Sequence, residues 1–280
     1  MFQMRQKMGM FRKIRNVVQQ KFMERCRSLA IKSSDRRFCN IFNFLCRARG
    51  LKVRCNLSQG KIMATEDQTR VFFVEKYQNW NSYINGFDAR VRGMEKRYHL
   101  SRIPLERGDL IVDCGANVGD LNLYFQQRNI EIRYVGFEPS PKEFDCLTLN
   151  TVGHTALSYA LADTDQEVEF FLSEANADSS IFRPEESCDS IIVQGRTLDS
   201  FHFGPIKLLK LEAEGAELEV LKGAKDSLSK IDWISADCGF EKGIEKESTI
   251  VPVTNFLLRN GFELLSVSPK FCALFRRLAS

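Results

Sequence analysis

Six acidic side chains between residues 113 and 237 fall at the ends of short apolar runs. Asp113 follows Leu110-Ile111-Val112, Glu138 follows Tyr134-Val135-Gly136-Phe137, and Asp163 closes a run near 156–161. Glu212 and Glu214 lie in Leu209-Lys210-Leu211-Glu212-Ala213-Glu214-Gly215, and Asp237 follows Trp233 to Ala236. If those runs are parallel strands, all six acids reach one sheet edge, where open α/β sheets bind their ligands. One acid at such a point is by default a loop residue or helix cap. Six together make a site that favours a cation and can withdraw a proton from a hydroxyl.

The first of these acids opens the most informative stretch, Asp113-Cys114-Gly115-Ala116-Asn117-Val118-Gly119. An apolar strand, a small-residue turn and the helical pattern of Leu121, Leu123, Tyr124 and Phe125 follow one another, the arrangement in which backbone approaches a nucleotide-like ligand. Dinucleotide-binding turns read G-x-G-x-x-G and clear room for a pyrophosphate at a helix N-terminus. Here the turn reads D-x-G-x-N-x-G, and a carboxylate two residues before the first glycine would repel a pyrophosphate. It suits a ligand bearing an ammonium and a sulfonium, which describes S-adenosylmethionine. Glu138 stands 23 residues beyond Gly115, where an acid on the neighbouring strand tip can accept both ribose hydroxyls of an adenosine.

Methyl transfer from a sulfonium is an in-line displacement, so its main demand is to hold the nucleophile at near-attack distance. A hydroxyl nucleophile must also lose its proton to a carboxylate or histidine. Glu214 is the first candidate, because Gly215 lets the backbone turn sharply after it; Glu212 and Asp237 are the others, with Glu241 next. No metal is expected: His99, His154 and His202 are scattered without ligand spacing.

The elements that must position these groups alternate. Strands are expected at 110–114, 132–137, 156–161, 207–211 and 233–236, with helices at 118–127, 141–150, 216–228 and 248–260 between or after them. An extra strand at 167–172, in a hairpin, and a closing antiparallel pair at 262–267 and 271–275 complete a mostly parallel sheet. Residues 109–280 then form the ligand-binding domain, and 51–108 a bridge on the substrate side. That bridge has short strands at 51–55, 61–64 and 71–74, a helix from Asp88 to about His99, and an aromatic patch of Tyr77, Trp80, Tyr83 and Phe87. Packing in a core is the commoner fate of such aromatics, and facing a carbohydrate the alternative.

Charge is divided unevenly: residues 1–54 carry a net +13 and the remainder −9, within a total of +4. Residues 1–50 form a basic helical extension in which Phe11, Ile14, Val18, Phe22 and Leu29 fall near one face. Packing against the main domain or a dimer partner is the plainer reading; peripheral contact of residues 1–30 with an anionic membrane surface, or an organellar transit peptide, are the others. Nucleic-acid binding is not expected, because no recognition module accompanies the charge. No apolar run is long enough to cross a membrane, and no secretory leader is recognisable. The nine cysteines form no C-x-x-C pair and read as reduced, buried residues of a cytoplasmic protein. Asn56-Leu57-Ser58 is then a chance match to a glycosylation acceptor.

Taken together, Asp113 to Gly119, Gly136-Phe137-Glu138-Pro139, Arg196-Thr197-Leu198-Asp199, the segment Leu208 to Glu217 and Leu221-Lys222-Gly223-Ala224 resemble the FkbM-type S-adenosylmethionine-dependent methyltransferases. The resemblance spans about residues 105–276, and Ala177-Asp178-Ser179-Ser180 resembles a family loop. It implies a Rossmann-like class I methyltransferase fold and O-methylation, often of a sugar hydroxyl in a glycan or glycosylated metabolite. It also implies that Gly115, Asn117, Gly119 and Glu138 hold the cofactor, with Asp163 near the adenine. Glu212 departs from the aspartate common in the family. Two other classes remain: a non-catalytic methyltransferase-like binding protein, and an NAD-dependent sugar-modifying enzyme, for which the Tyr-to-Lys candidates are poorly placed.

Overall fold

Leu110 to Cys114 are buried at all five positions, as in a central strand covered on both faces. The chain is described here by a computed structural model covering residues 20–172 and 189–278. Phe11, Ile14, Val18 and the Ala177 to Ser180 loop lie outside the described residues.

The N-terminal part consists of α1 (20–31), α2 (Asp35–Ala48), the strands β1 (Arg54–Ser58), β2 (Lys61–Glu66) and β3 (Thr69–Phe73), and helices α3 (Lys76–Tyr83) and α4 (Phe87–Arg97). β1, β2 and β3 form an antiparallel meander. Next come β4 (Leu110–Cys114), α5 (Asn122–Gln127), β5 (Arg133–Phe137), α6 (Pro141–Asn150), β6 (Thr155–Leu157) and β7 (Ala160–Leu161). They are followed by β8 (Glu167–Phe171), β9 (Ser190–Arg196), β10 (Ile206–Leu211), α7 (Glu217–Lys222) and β11 (Ile231–Asp237). The chain closes with β12 (Phe240–Lys242), β13 (Glu247–Ser248), α8 (Ile250–Arg259), β14 (Phe262–Val267) and β15 (Cys272–Arg277).

Seven strands make the main sheet in the order β14-β15-β11-β10-β4-β5-β6. The five from β11 to β6 are mutually parallel, whereas β15 is antiparallel to both β11 and β14. This is the expected Rossmann-like sheet, with the chain-terminal strand inserted one place in from the edge. Alternation along β4 divides the core between its faces. Val112 and Cys114 pack with α7 and α8 through Val220, Leu221, Val253 and Leu257. Ile111 faces the opposite way, into a layer that includes Phe38 and Phe42 of α2, Val71 and Phe73 of β3, and Phe125 of α5. The N-terminal elements therefore share a core with the sheet. Asn150, at the end of α6, ties them further by bonding the Phe72 amide and carbonyl and the Val118 carbonyl.

Several local expectations shift. The helix expected at 118–127 begins only at Asn122, because Asn117 and Gly119 adopt positive φ and extend the turn. The third strand divides, with β6 in the main sheet and β7 joining β9 and β8 in a side sheet. Of the expected apolar stripe on α1, Phe22 and Leu29 are exposed, while Ala30 is buried and Met23 and Cys26 pack against the core. Among the described residues no helix is long and apolar enough to cross a membrane.

The helix expected to run to 228 ends at Lys222, and Gly223 explains why a side chain is not tolerated there. A Cβ on Gly223 would lie 1.9 Å from the Ala162 carbonyl oxygen, so α7 meets the segment after β7 backbone to backbone. Gly223→Ala should therefore destabilise the fold by about 1–3 kcal/mol, as overpacking does. Urea unfolding of the variant beside wild type checks this, and an unchanged midpoint would contradict the close approach.

Candidate active site

Lys210 lies opposite Asp113 in the β10–β4 register, and that pairing begins the site. Its ammonium ion-pairs with Asp113 at 3.0 Å and Glu212 at 3.0 Å, and it donates to the carbonyls of Cys114 at 3.2 Å and Gly115 at 2.7 Å. Burial works against the lysine charge, but the two carboxylates outweigh it and hold the group charged well above the usual lysine range. Asp113 is 1% exposed and also accepts from the Tyr134 hydroxyl at 2.5 Å; burial pushes its carboxyl up while Lys210 opposes that.

The end of α4 supplies a second cation. Arg97 donates to Glu212 at 2.6 Å and through Nε to Asp237 at 3.0 Å, with a further short contact to Asp237. The Tyr98 hydroxyl donates to Glu212 at 2.7 Å, and its ring lies 5.6 Å from the Lys210 ammonium. Burial pushes the Glu212 carboxyl up, yet Lys210, Arg97 and the Tyr98 hydroxyl prevail and hold it at about 2. A carboxylate that acidic and that fully engaged is a poor proton acceptor. For Asp237, burial and the neighbouring Glu212 charge push the carboxyl up against the pull of Arg97.

Around this cluster lies a cavity of about 350 Å³. Asp113, Gly115, Asn117, Glu138, Glu212 and Glu214 all line it, and Asp237 reaches it through Arg97. Asp163 is exposed and Gly119 lies behind the turn; neither is part of the lining. Gly119 has a packing reason instead, since a Cβ there would come within 2.6 Å of Leu147 on α6. Gly115 is held to glycine twice over, by its φ of +68° and by the Glu212 carbonyl 1.9 Å from where a Cβ would stand.

Glu138 accepts the amides of Asn117 at 2.8 Å and Ser140 at 2.9 Å, one on each oxygen. Each oxygen keeps a lone pair for a further donor. Burial raises its carboxyl to about 7, against the pull of those amides. Asn117 in turn accepts from Gln78 at 2.5 Å, and the other polar atom of Gln78, the buried Oε1, has no hydrogen-bond partner. Phe137, Ala160, Leu161 and Phe170 give the cavity an apolar portion.

On the other side the turn after β10 is built by Glu217. This buried carboxylate accepts the amides of Ala213 at 3.0 Å and Gly215 at 3.1 Å, and the Thr249 hydroxyl at 2.8 Å. A Cβ on Gly215 would stand 2.6 Å from the Lys242 Cα, so the glycine lets β12 lie against the turn. That contact brings Glu241 to the cavity wall beside Glu214. Burial, then the charges of Asp237 and Glu212, raise the Glu241 carboxyl to about 8, and its Oε2 has no hydrogen-bond partner.

The aromatic patch of the bridge divides. Trp80, Tyr83 and Phe87 enter the core, whereas Tyr77, Gln78, Asn81 and Ser82 line the cavity. Arg90, bidentate on Asp120 at 2.7 and 3.1 Å, continues that wall. Sequence reasoning assigned no role to Arg90, Arg97, Tyr98, Gln78 or Glu217. A signal for the two arginines was available: buried carboxylates at strand ends need counter-ions, and one lysine cannot serve them all.

A Rossmann-like sheet with an acid at the β5 tip and an acidic cavity beyond the strand ends is a framework suited to a nucleoside-bearing cofactor. A family model, the methyltransferase FkbM domain, matches residues 113–264. The chain belongs to the FkbM methyltransferase family. It is 25% identical to methyltransferase sdnD of Sordaria araneosa, the match covering 46% of this chain and 64% of that one. It is also 25% identical to the hexuronic acid methyltransferase AglP of Haloferax volcanii, covering 52% and 63%. The chain thus spans a little under two thirds of the length of these relatives. Among solved structures, a methyltransferase FkbM from Methylobacillus flagellatus matches with a TM-score of 0.47 and 16% identity over 72% of this chain and 53% of that one.

Removing a partner from a buried ion pair costs about 3–5 kcal/mol, because the remaining charge is left without compensation. Lys210→Met should lose that much at neutral pH. The loss should shrink as pH falls, since the stranded Asp113 carboxyl then binds a proton in the folded state that the unfolded chain binds only at lower pH. Denaturant unfolding of both proteins between pH 5 and 8 measures the difference, and a pH-independent loss would argue against Asp113 as the stranded charge.

Proposed function

We propose that the chain is an S-adenosylmethionine-dependent O-methyltransferase acting on a hydroxyl of a carbohydrate-type acceptor. The observation that carries this reading is the division of labour among the cavity acids. Asp113, Glu212 and Asp237 are occupied by Lys210 and Arg97, whereas Glu138 and Glu241 face the cavity with accepting capacity to spare. The lining suits the cofactor: seven acidic side chains against three basic ones favour a cation, and the unpartnered Gln78 Oε1 is left for a donor.

Glu138 would hold the ribose hydroxyls, and Gly115 and Asn117 would shape the turn beside them. The carbonyls at Cys114 and Gly115, already fixed by Lys210, keep that turn from relaxing. When bound, S-adenosylmethionine supplies a methyl group made electrophilic by the sulfonium. Glu212 and Asp237, held by Arg97, position the wall rather than exchange protons. Glu241 takes the acceptor proton, its raised pKa matching a base that works near neutral pH; Glu214, beside it, is the next group able to do so. Acceptor hydroxyls meet Tyr77, Asn81 and Ser82, an aromatic face among amide and hydroxyl groups of the kind that binds sugars. The likeness to a hexuronic acid methyltransferase supports a sugar acceptor.

Calorimetric titration with S-adenosylhomocysteine tests the cofactor half. Glu138→Ala should weaken binding by about 1–3 kcal/mol. Because ribose hydroxyls donate best to an ionised carboxylate, wild-type affinity should also rise with pH through about 7. Equal affinity in the variant would remove Glu138 from the ribose.

Turnover on a panel of glycans tests the other half. Glu241→Gln should leave S-adenosylhomocysteine affinity intact and lower kcat by about 10²–10⁴. The wild-type rate should climb with pH and level off above about 8, as the carboxyl ionises. If Glu214→Gln instead abolishes turnover while Glu241→Gln spares it, the base is Glu214.

A further inference from the structure

We infer that Cys39 and Cys55 form a disulfide that bolts α2 to β1. Their sulfurs are 3.0 Å apart, closer than unbonded carbon atoms approach at their optimum of about 3.5–4.0 Å. A thiol is a weak donor and a weak acceptor, so a hydrogen bond between the two gives little reason for so close an approach. Among the described residues no other two sulfurs lie within hydrogen-bonding reach of one another. Cys46, one face-repeat further along α2, turns to the Ile84 carbonyl at 3.9 Å instead.

The juxtaposition is set by groups other than sulfur. Asn43, one turn after Cys39, accepts the Cys55 amide at 2.7 Å and donates to the Cys55 carbonyl at 2.8 Å. This two-point clamp fixes the Cys55 backbone against the face of α2 that carries Cys39. Phe38 and Phe42 on the same helix are fully buried in the core shared with the main sheet, so α2 has no freedom to carry Cys39 away.

The bond forms by exchange with a low-molecular-weight disulfide such as oxidised glutathione. Before α2 closes both thiols are accessible, and in one of the two equivalent orders Cys39 attacks first. As thiolate it displaces one sulfur of the oxidant and forms a mixed disulfide. The Cys55 thiolate then attacks the Cys39 sulfur and expels the second. Two protein thiols are oxidised, one oxidant disulfide is reduced, and the two protons leave on the two released thiols. Cys39 and Cys55 are 6% and 1% exposed, so exchange belongs to folding, before α2 closes over the meander. Such a bond persists in an oxidising compartment, in contrast to the reduced, cytoplasmic setting expected from the cysteine pattern.

The test is peptide mapping of the full chain refolded with a reduced and oxidised glutathione mixture, then alkylated in denaturant and digested. A linked peptide joining Cys39 to Cys55 is expected. The oxidised protein should melt on the order of 5 °C above the same protein after dithiothreitol. Cys39→Ser/Cys55→Ser should melt alike under both conditions. Recovery of both cysteines alkylated after oxidation, or linkage of either to another cysteine, would overturn the inference. Should the double variant fail to fold, the wild-type map decides alone, and it does so whether or not the cofactor binds.

Discussion

A lysine placed between two carboxylates in the middle of a sheet is the constraint on which the site depends. Lys210 is 3% exposed, and a charge so deep is tolerable only if every one of its donors is met. Asp113, Glu212 and the carbonyls of Cys114 and Gly115 meet them. The last of those carbonyls belongs to the glycine turn, so the same ammonium that neutralises the strand ends also fixes the backbone nearest the ligand. Because the β10–β4 register sets Lys210 opposite Asp113, a slip of one strand by one residue would put the two groups on opposite faces of the sheet. The ion pair and the register specify each other.

Arg97 extends that logic across the molecule. It comes from α4, ahead of the matched methyltransferase domain, and closes on Glu212 and Asp237 at the ends of two adjacent strands. Without it, Glu212 would have only Lys210, which it shares with Asp113, and Asp237 would lose its ion-pair partner. The N-terminal elements are therefore coupled to the sheet electrostatically as well as through their shared core. Acidity is graded across the site: Glu212 is held at about 2 against its burial by two cations, whereas burial, and after it the charges of Asp237 and Glu212, raise Glu241 to about 8. Two carboxyls a few residues from a common edge come to differ in acidity through their surroundings alone.

Local pattern made the sheet readable. Short apolar runs announced β4, β5, β10, β11, β14 and β15, and a short turn with Pro269 announced the antiparallel close. What failed was local too: a helical pattern at 118–121 yielded to positive φ at Asn117 and Gly119, and Gly223 stopped α7 because a carbonyl from a distant loop occupies the space. On α1 the stripe containing Phe22 and Leu29 lost to the adjacent face of Met23, Cys26 and Ala30. Periodicity fixes that a helix has a face, whereas which neighbour arrives decides which face is covered.

The acids of the site were visible one by one because each ends a strand, yet their chemistry was not. A carboxylate read from sequence carries no record of its counter-ion, and Arg97 is separated from Glu212 by 115 positions along the chain. The consequence bears on how such a domain diversifies. The paired cluster of Lys210, Arg97, Asp113, Glu212 and Asp237 is locked by mutual burial, so a change to any one member strands another. Tyr77, Asn81 and Ser82 on the facing wall bear no such obligation toward the cluster. Substitution is accordingly least costly on α3, outside the matched domain, where it alters what the cavity meets without unbalancing the charges that hold it open.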